Sequence, residues 1–224
     1  MRLRTTTVLN LSILAALTLA GCSTTSDPAS SATAPSGNSP SSAPLSSAAL
    51  AQRLLNEGDL DEGYTRTPQR PAAHDDVTVI GCPALEKLGA DAATGSGLDF
   101  SRQAKVSFTY VGGSGSEMSE ELYSDTVAKL SKGIGQIFDA MVSCPTYQVV
   151  SGRTVIDMAT QRMAARDLGD GQWSQLLTYS VGGQRSVVKQ TAVRTGNVLV
   201  IVSGSPGLVD ANLGKALTKA QSAH

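Results

Sequence analysis

The sequence is short of the residues that catalysis and metal binding use most often. Only two of its 224 residues are histidine and three are cysteine, too few for a His-rich or Cys-rich metal cluster. Lysine and arginine number 18 against 19 acidic residues, giving a formal charge of −1. Without a basic excess, the chain is not expected to hold nucleic acid by its phosphates. These shortages argue against a metal-cluster protein and against a nucleic-acid-binding protein.

Catalytic motifs are also missing. A Ser–His–Asp triad needs a positioned imidazole, but His74 lies in a polar loop pattern and His224 is the last residue. His74-Asp75-Asp76 is a poor metal site, because three adjacent residues cannot all face one ion. No phosphate-binding loop, G-x-S-x-G or G-x-G-x-x-G pattern is found. We therefore predict a non-enzymatic protein with no catalytic residues, no metal site and no cofactor.

The N-terminal region has the pattern of an export signal. Arg2 and Arg4 precede Val8–Ala20, a mainly apolar stretch of 13 residues that is shorter than the roughly 20 residues of a membrane-spanning helix. Leu19-Ala20-Gly21-Cys22 follows, and it resembles the lipobox of bacterial lipoproteins. The resemblance implies cleavage before Cys22 and a diacylglycerol thioether on it. An ordinary secretory signal with a chance cysteine is the alternative.

Composition divides the chain into three parts. Residues 1–21 are predicted to be the lipoprotein signal peptide. Residues 22–47 are predicted to be the lipidated Cys22 with a disordered spacer, because residues 23–47 contain ten serines and four prolines with one charge. Residues 48–224 are predicted to form one domain. The expected partner is a membrane, reached through the lipid on Cys22, and the expected location is the extracytoplasmic face of the cell membrane.

Hydrophobic periodicity predicts an α+β domain. Strand patterns cover residues 104–110, 117–123, 147–150, 155–165, 172–181, 186–194 and 198–203. An apolar stripe at helical spacing runs from Val127 to Cys144, and a second amphipathic helix is predicted over Leu208–Ala220. Short extended pieces are expected within residues 59–81. Strands in series with helices at the ends predict an antiparallel sheet of about five to seven strands, with helices on one face.

The remaining cysteines and the single tryptophan carry further predictions. Outside the cytoplasm Cys82 and Cys144 are expected to form a disulfide, with a pair of free thiols as the alternative. Trp173 is the only tryptophan. It is a weak ligand-binding candidate, because it could pack in the core or line a cleft.

Short motifs resemble a known family. They are Asp59-Leu60, Gly63-Tyr64-Thr65, Cys82–Leu85, Val106–Phe108, Leu168-Gly169-Asp170 and Val193–Asn197. In this order they resemble the PknH-like extracellular sensor domain. The resemblance implies a helix-backed antiparallel sheet with a cleft for an unidentified ligand, and it supplies no catalytic residues. Members linked to kinases commonly have two disulfides, whereas this domain has cysteines for one.

The sequence therefore predicts a lipid-anchored extracytoplasmic binding or sensor-type protein that holds a small or envelope-derived ligand. A structural or protein-interaction module of the cell envelope is the main alternative. A hydrolase with an unrecognised site near Asp170 and Trp173, and a lipid carrier with an apolar cavity, are further alternatives.

Overall fold

The computed structural model describes residues 43–68, 77–89, 92, 98, 100–112, 116–164 and 166–222. The predictions for the signal peptide, for Cys22 and for most of the spacer lie outside the described residues. So do His74 and His224.

Four helices and nine strands are seen in the described part of the chain. The helices are α1 (Ser47–Arg53), α2 (Pro83–Leu88), α3 (Val127–Ser143) and α4 (Pro206–Gln221), with a 3₁₀ turn at Glu57–Asp59. The strands are β1 (Tyr64–Arg66), β2 (Val77–Ile80), β3 (Gln103–Tyr110), β4 (Ser116–Ser124), β5 (Thr146–Ser151), β6 (Thr154–Arg162), β7 (Gly171–Val181), β8 (Gln184–Thr195) and β9 (Val198–Gly204).

All nine strands form one antiparallel sheet in the order β1-β3-β4-β9-β8-β7-β6-β5-β2. The sheet is larger than the predicted five to seven strands. The two additional strands are β1 and β2, which have three and four residues. They are too short for a clear alternating pattern, and both lie at the edges of the sheet.

Helices cover both faces of the sheet, so the prediction of helices on one face was wrong. On β9, Leu199 and Ile201 belong to the apolar cluster beneath α2 and α3, which we call the first face. Val198, Val200 and Val202 belong to the cluster beneath α1 and α4, the second face. The physical reason is visible in the sequence, because an uninterrupted apolar run is typical of a strand buried on both sides.

A disulfide joins Cys82, which precedes α2, to Cys144, which follows α3, with their Cα atoms 5.6 Å apart. The predicted pairing is therefore present in the structure. The stripe on α3 also packs as predicted at Leu130, Ile134 and Met141, whereas Val127 is 40% exposed. Together the bridge and the stripe hold α2 and α3 against the first face.

The two helical layers are placed diagonally. On the first face α3 packs on β6 to β9, while on the second face α1 packs on β3 and β4 and α4 packs on β4, β8 and β9. Among the described residues, no helix lies over β3 and β4 on the first face or over β5 and β6 on the second. In the described part of the chain, two half-faces of the sheet therefore carry no helix, and we call them the open half-faces.

Candidate functional site: a serine-lined groove

The open half of the first face holds a groove of about 600 Å³. Side chains from the inner strands β4, β8 and β9 and from β3 form its floor, and six of its lining residues are serines. We call it the serine groove. Its serines are Ser107, Ser116, Ser119, Ser186, Ser203 and Ser205, and its other lining residues include Lys105, Glu117, Tyr179 and Gly204.

Strand register brings three of the serines side by side. Ser107 on β3 lies opposite Ser119 on β4, and Ser119 lies opposite Ser203 on β9. Adjacent strands are about 4.8 Å apart, so the three hydroxyls form a row roughly 10 Å long. All three residues are half-buried, and their hydroxyls make no hydrogen bond to any other residue that the structure describes. The row can therefore donate and accept hydrogen bonds toward a bound molecule.

The charges at the groove are balanced internally. Lys105 Nζ lies 2.5 Å from Glu121 Oε1. The other oxygen of Glu121 accepts a hydrogen bond of 2.5 Å from the Tyr123 hydroxyl. Burial and the neighbouring Glu121 carboxylate raise the pKa of Tyr123, so the phenol keeps its proton and donates. Because exposed Glu117 also lines the groove, the site has no excess of positive charge.

Gly204 shapes the end of the groove where β9 leads into α4. Its φ of 151° is rarely adopted by other residues, and a Cβ atom there would lie 2.3 Å from the Glu117 carbonyl oxygen. This close approach lets the Ser205 backbone N–H donate to that same oxygen at 3.1 Å. Ser205 precedes α4, but its side chain makes no capping hydrogen bond, which leaves its hydroxyl at the groove.

The second open half-face has a different character. It holds a groove of about 600 Å³ on β2, β5, β6 and β7, with Ile80, Thr178, Ser180 and Arg185 among its lining residues. Ile80 is 49% exposed, and Val155, on the second-face side of β6, is exposed to the same extent. This surface combines aliphatic and small polar side chains, whereas the serine groove is mainly hydroxylated.

Trp173, the candidate predicted from the sequence, lies elsewhere. It is half-buried, packs against the apolar cluster of the first face and sits beside Gly135 of α3. It is not among the residues that line the serine groove. Conversely, no feature of the sequence distinguishes the groove serines from others. A serine on the polar side of a strand is unremarkable alone, and only the pairing of β3, β4 and β9 brings three together.

Two of the motifs behind the family resemblance meet in a structural clamp. Asp170 Oδ2 accepts hydrogen bonds from the Gly196 N–H at 2.7 Å and from Arg194 Nη1 at 3.1 Å. The Asp170 N–H donates to the Arg194 carbonyl at 2.8 Å. Gly169 lies so close that a Cβ atom would be 2.7 Å from that carbonyl oxygen. The Leu168-Gly169-Asp170 turn therefore fastens the segment before β7 to the β8–β9 hairpin.

The same hairpin also holds the first described residues. Ser124 Oγ accepts a hydrogen bond from the Leu45 N–H at 2.8 Å and donates one to the Asn197 carbonyl at 2.7 Å. Asn197 Nδ2 donates to the Ala43 carbonyl at 2.7 Å. Ala43 and Leu45 belong to the last part of the predicted spacer, residues 22–47, and they are bonded to the ends of β4 and β9. The end of that segment is therefore ordered, although the whole of it was predicted to be disordered. We use "the clamp" for Asp170, Arg194, Gly196, Ser124 and Asn197 together.

A buried acid lies on the second face. Glu120 is fully buried on β4, where its Oε2 accepts a hydrogen bond of 2.7 Å from the Leu55 N–H. Its Oε1 has no hydrogen-bond partner among the described residues. Burial raises the pKa of Glu120 to about 7. The hydrogen bond from the Leu55 N–H and the charge of Lys219 lower this pKa, whereas the charge of Asp59 raises it. Its ionisation therefore bears on how α1 packs, rather than on the serine groove.

Comparison with known proteins shows the fold. No family model matches the chain, and no curated protein matches it. The crystal structure of the extracellular domain of PknH from Mycobacterium tuberculosis is similar, with a TM-score of 0.60 and 13% sequence identity, over 79% of this chain and 97% of that one. At this identity the likeness establishes a PknH-like fold.

Among the residues that the structure describes, no helix has both the length and the apolar character needed to cross a bilayer. Within the same residues, no three histidine, cysteine, aspartate or glutamate side chains are grouped so that they could hold a metal ion.

Proposed function

We propose that this chain is an extracytoplasmic binding or sensor-type protein, held at the membrane by lipid on Cys22. Its serine groove takes a small or envelope-derived ligand. The observation that carries the proposal is the row of Ser107, Ser119 and Ser203. Half-buried hydroxyls at the floor of a groove of about 600 Å³ have no partner in the described chain. A groove of this volume is within the usual range for small-ligand sites.

The fold supports the extracytoplasmic part of the proposal. The similar structure is named as an extracellular domain, and a disulfide such as Cys82–Cys144 is typical of oxidising compartments. The lipobox-like Leu19–Cys22 and the serine-rich spacer support a tethered location. The proposal assigns no catalytic residue, because the sequence contains no recognised catalytic motif.

Native mass spectrometry of the full chain, extracted from its own membranes, tests the proposal. We expect wild-type protein to carry an added mass that disappears on denaturation, because the groove is loaded in the cell. The lipid on Cys22 is covalent, so its mass should persist after denaturation. The Ser119→Leu variant fills the groove and should lose the non-covalent mass.

Ser180→Leu is the matched control, because Ser180 is also half-buried on a strand but lies on the second open half-face. It should retain the added mass. A bare wild-type protein, or equal loading of both variants, would contradict ligand binding in the serine groove.

A protein-interaction module is the second candidate, and the second open half-face favours it. Ile80 and Val155 expose 49% of their surface there, and exposed aliphatic side chains on a concave surface suit a protein partner. A photo-crosslinking residue introduced in place of Thr178 should give one dominant protein adduct in intact cells under this alternative. No adduct at that position would remove its support.

A further inference from the structure

We infer that the ligand of the serine groove is an uncharged, polyhydroxylated molecule, namely a neutral glycan. This inference rests on the proposed function, because it names the ligand class for the same groove. It follows from comparing what the groove supplies with what each class of ligand requires.

An anionic ligand is disfavoured by the charges. Binding of phosphate or sulfate groups requires cations that are not already neutralised. The lining residues include one cation, Lys105, and it is paired with Glu121 at 2.5 Å. Glu117 adds a negative charge at the groove. The start of α4 contributes little, because Pro206 lacks an N–H group and the Ser205 N–H already donates to Glu117.

A lipid chain and an extended peptide are also disfavoured. Acyl chains need apolar walls, but serines are the commonest lining residue, and the side chain of Met118 packs on the second face. Extended peptides often bind by adding a strand to a sheet edge. The floor strands β4 and β9 each have a partner strand on both sides, so they present side chains rather than backbone groups.

A neutral glycan matches the uncharged hydroxyl groups that line the serine groove. A serine hydroxyl both donates and accepts, as does a sugar hydroxyl, so the two groups can pair in either sense without a charge. The row of Ser107, Ser119 and Ser203 repeats this capacity across three strands. Tyr179 is half-buried and lines the groove beside Ser186 on the neighbouring strand. Its ring offers a flat surface on which the apolar face of a sugar can pack.

The test is isothermal titration calorimetry of the full-length protein in detergent with defined neutral oligosaccharides. The probes are gluco-, manno-, galacto- and arabino-oligosaccharides of one length, together with a sulfated form of each. At least one neutral probe should bind more tightly than its sulfated form. Its Kd should change by less than about twofold between low and high salt, because no ion pair is formed.

Variants test whether the binding is in the serine groove. Ser119→Leu should weaken binding of that neutral probe by at least about tenfold, since the side chain occupies the groove. Ser119→Ala removes only the hydroxyl and should weaken it by about fivefold, given the roughly 1 kcal/mol of a typical hydrogen bond. Ser180→Leu should leave the Kd unchanged. Unfolding midpoints of the three variants identify any loss that is due to misfolding.

Three results would overturn the inference: binding of no neutral probe, binding of sulfated probes alone with a steep salt dependence, or equal binding by wild type and Ser119→Leu. The proposed function is tested separately, by native mass spectrometry. If native mass spectrometry shows a non-glycan ligand that Ser119→Leu displaces, the groove is a binding site and only the ligand class is wrong.

Discussion

Two of the three serines on strand β4, Ser124 and Ser119, have opposite surroundings. Ser124 is fully buried and its hydroxyl bonds to both the Leu45 N–H and the Asn197 carbonyl. Ser119, five residues earlier on the same strand, is half-buried and its hydroxyl has no partner in the described chain. The first serine belongs to the clamp and the second to the serine groove.

The contrast separates polar groups that build the fold from polar groups that remain available. Buried polar groups in proteins are normally hydrogen-bonded, and the buried clamp residues Ser124 and Asn197 follow this rule. Asp170 is exposed but bonds to the buried Arg194, whose Nε has no partner among the described residues. The groove leaves several hydroxyls of one kind unused in one concave place. Substitutions in the clamp should therefore change stability, whereas substitutions in the groove should change binding.

The disulfide is the covalent counterpart of the clamp, and its loss should have the largest effect. Replacing both cysteines, Cys82→Ser with Cys144→Ser, should lower the free energy of unfolding by about 4 kcal/mol in the chain-entropy account, because the bridge spans 62 residues. Guanidinium unfolding of the double variant measures this. A loss below about 1 kcal/mol would show that packing of α2 and α3 suffices without the bridge.

The second prediction concerns Glu120, whose burial disfavours its ionised form. Its pKa is raised from 4.5 to about 7, so the folded state favours the protonated acid. Its contribution to stability is fully present below pH 4.5 and is lost as the pH rises through 7, by roughly 3 kcal/mol in total. Lys219 and Asp59 are the charged groups that face it.

Glu120→Gln cannot ionise, so the variant should match wild type near pH 4.5 and exceed its stability by up to about 3 kcal/mol at pH 8. Urea unfolding at three pH values provides the comparison. Parallel stability profiles for the two proteins would mean that the acid is ionised without penalty in the fold.

Removing Asp170, the central acid of the clamp, should lower the free energy of unfolding by about 2 kcal/mol. Asp170→Ala deletes the acceptor for the Gly196 N–H and leaves Arg194, which is 8% exposed, without its carboxylate partner. Asp167→Ala is the control, because Asp167 is exposed and close in sequence. Equal unfolding midpoints for the two variants would show that the clamp adds no stability.

The smallest effect is expected for Ser124 and Ser119 of β4. Ser124→Ala should lower the free energy of unfolding by about 1–2 kcal/mol, since two hydrogen bonds are lost in a buried place. Ser119→Ala should change it by less than about 0.5 kcal/mol. Thermal unfolding of the pair measures both. A destabilising Ser119→Ala would mean that this hydroxyl has a structural partner after all.

Much of the fold was predictable because it depends on local patterns. Alternation predicted β3. Gly182-Gly183, with φ values of 57° and 83°, forms the turn between β7 and β8, where a glycine pair is a local hairpin signal. The second helical layer was not predicted, because alternation in the other strands indicates one buried face, whereas the fully apolar run Val198–Val202 indicates burial on both sides.

The serine groove could not be predicted, because it depends on register. Ser107, Ser119 and Ser203 are separated by 12 and 84 residues in the sequence, and they meet only when β4 pairs with both β3 and β9. Trp173 was predicted as a ligand-binding candidate because it is the only tryptophan in the sequence. Its surroundings depend on the placement of α3, which local patterns do not reveal.

The most direct test of the central claim compares two introduced cysteines. Ser119→Cys places a thiol in the serine groove, and Ser180→Cys places one at a similarly buried position on the second open half-face. The alkylation rate of each is measured with and without an extract of the cell envelope. We predict that the extract slows alkylation several-fold at position 119 and leaves position 180 unchanged. Equal rates at position 119 with and without extract, or slowing at position 180 alone, would contradict a ligand site in the serine groove.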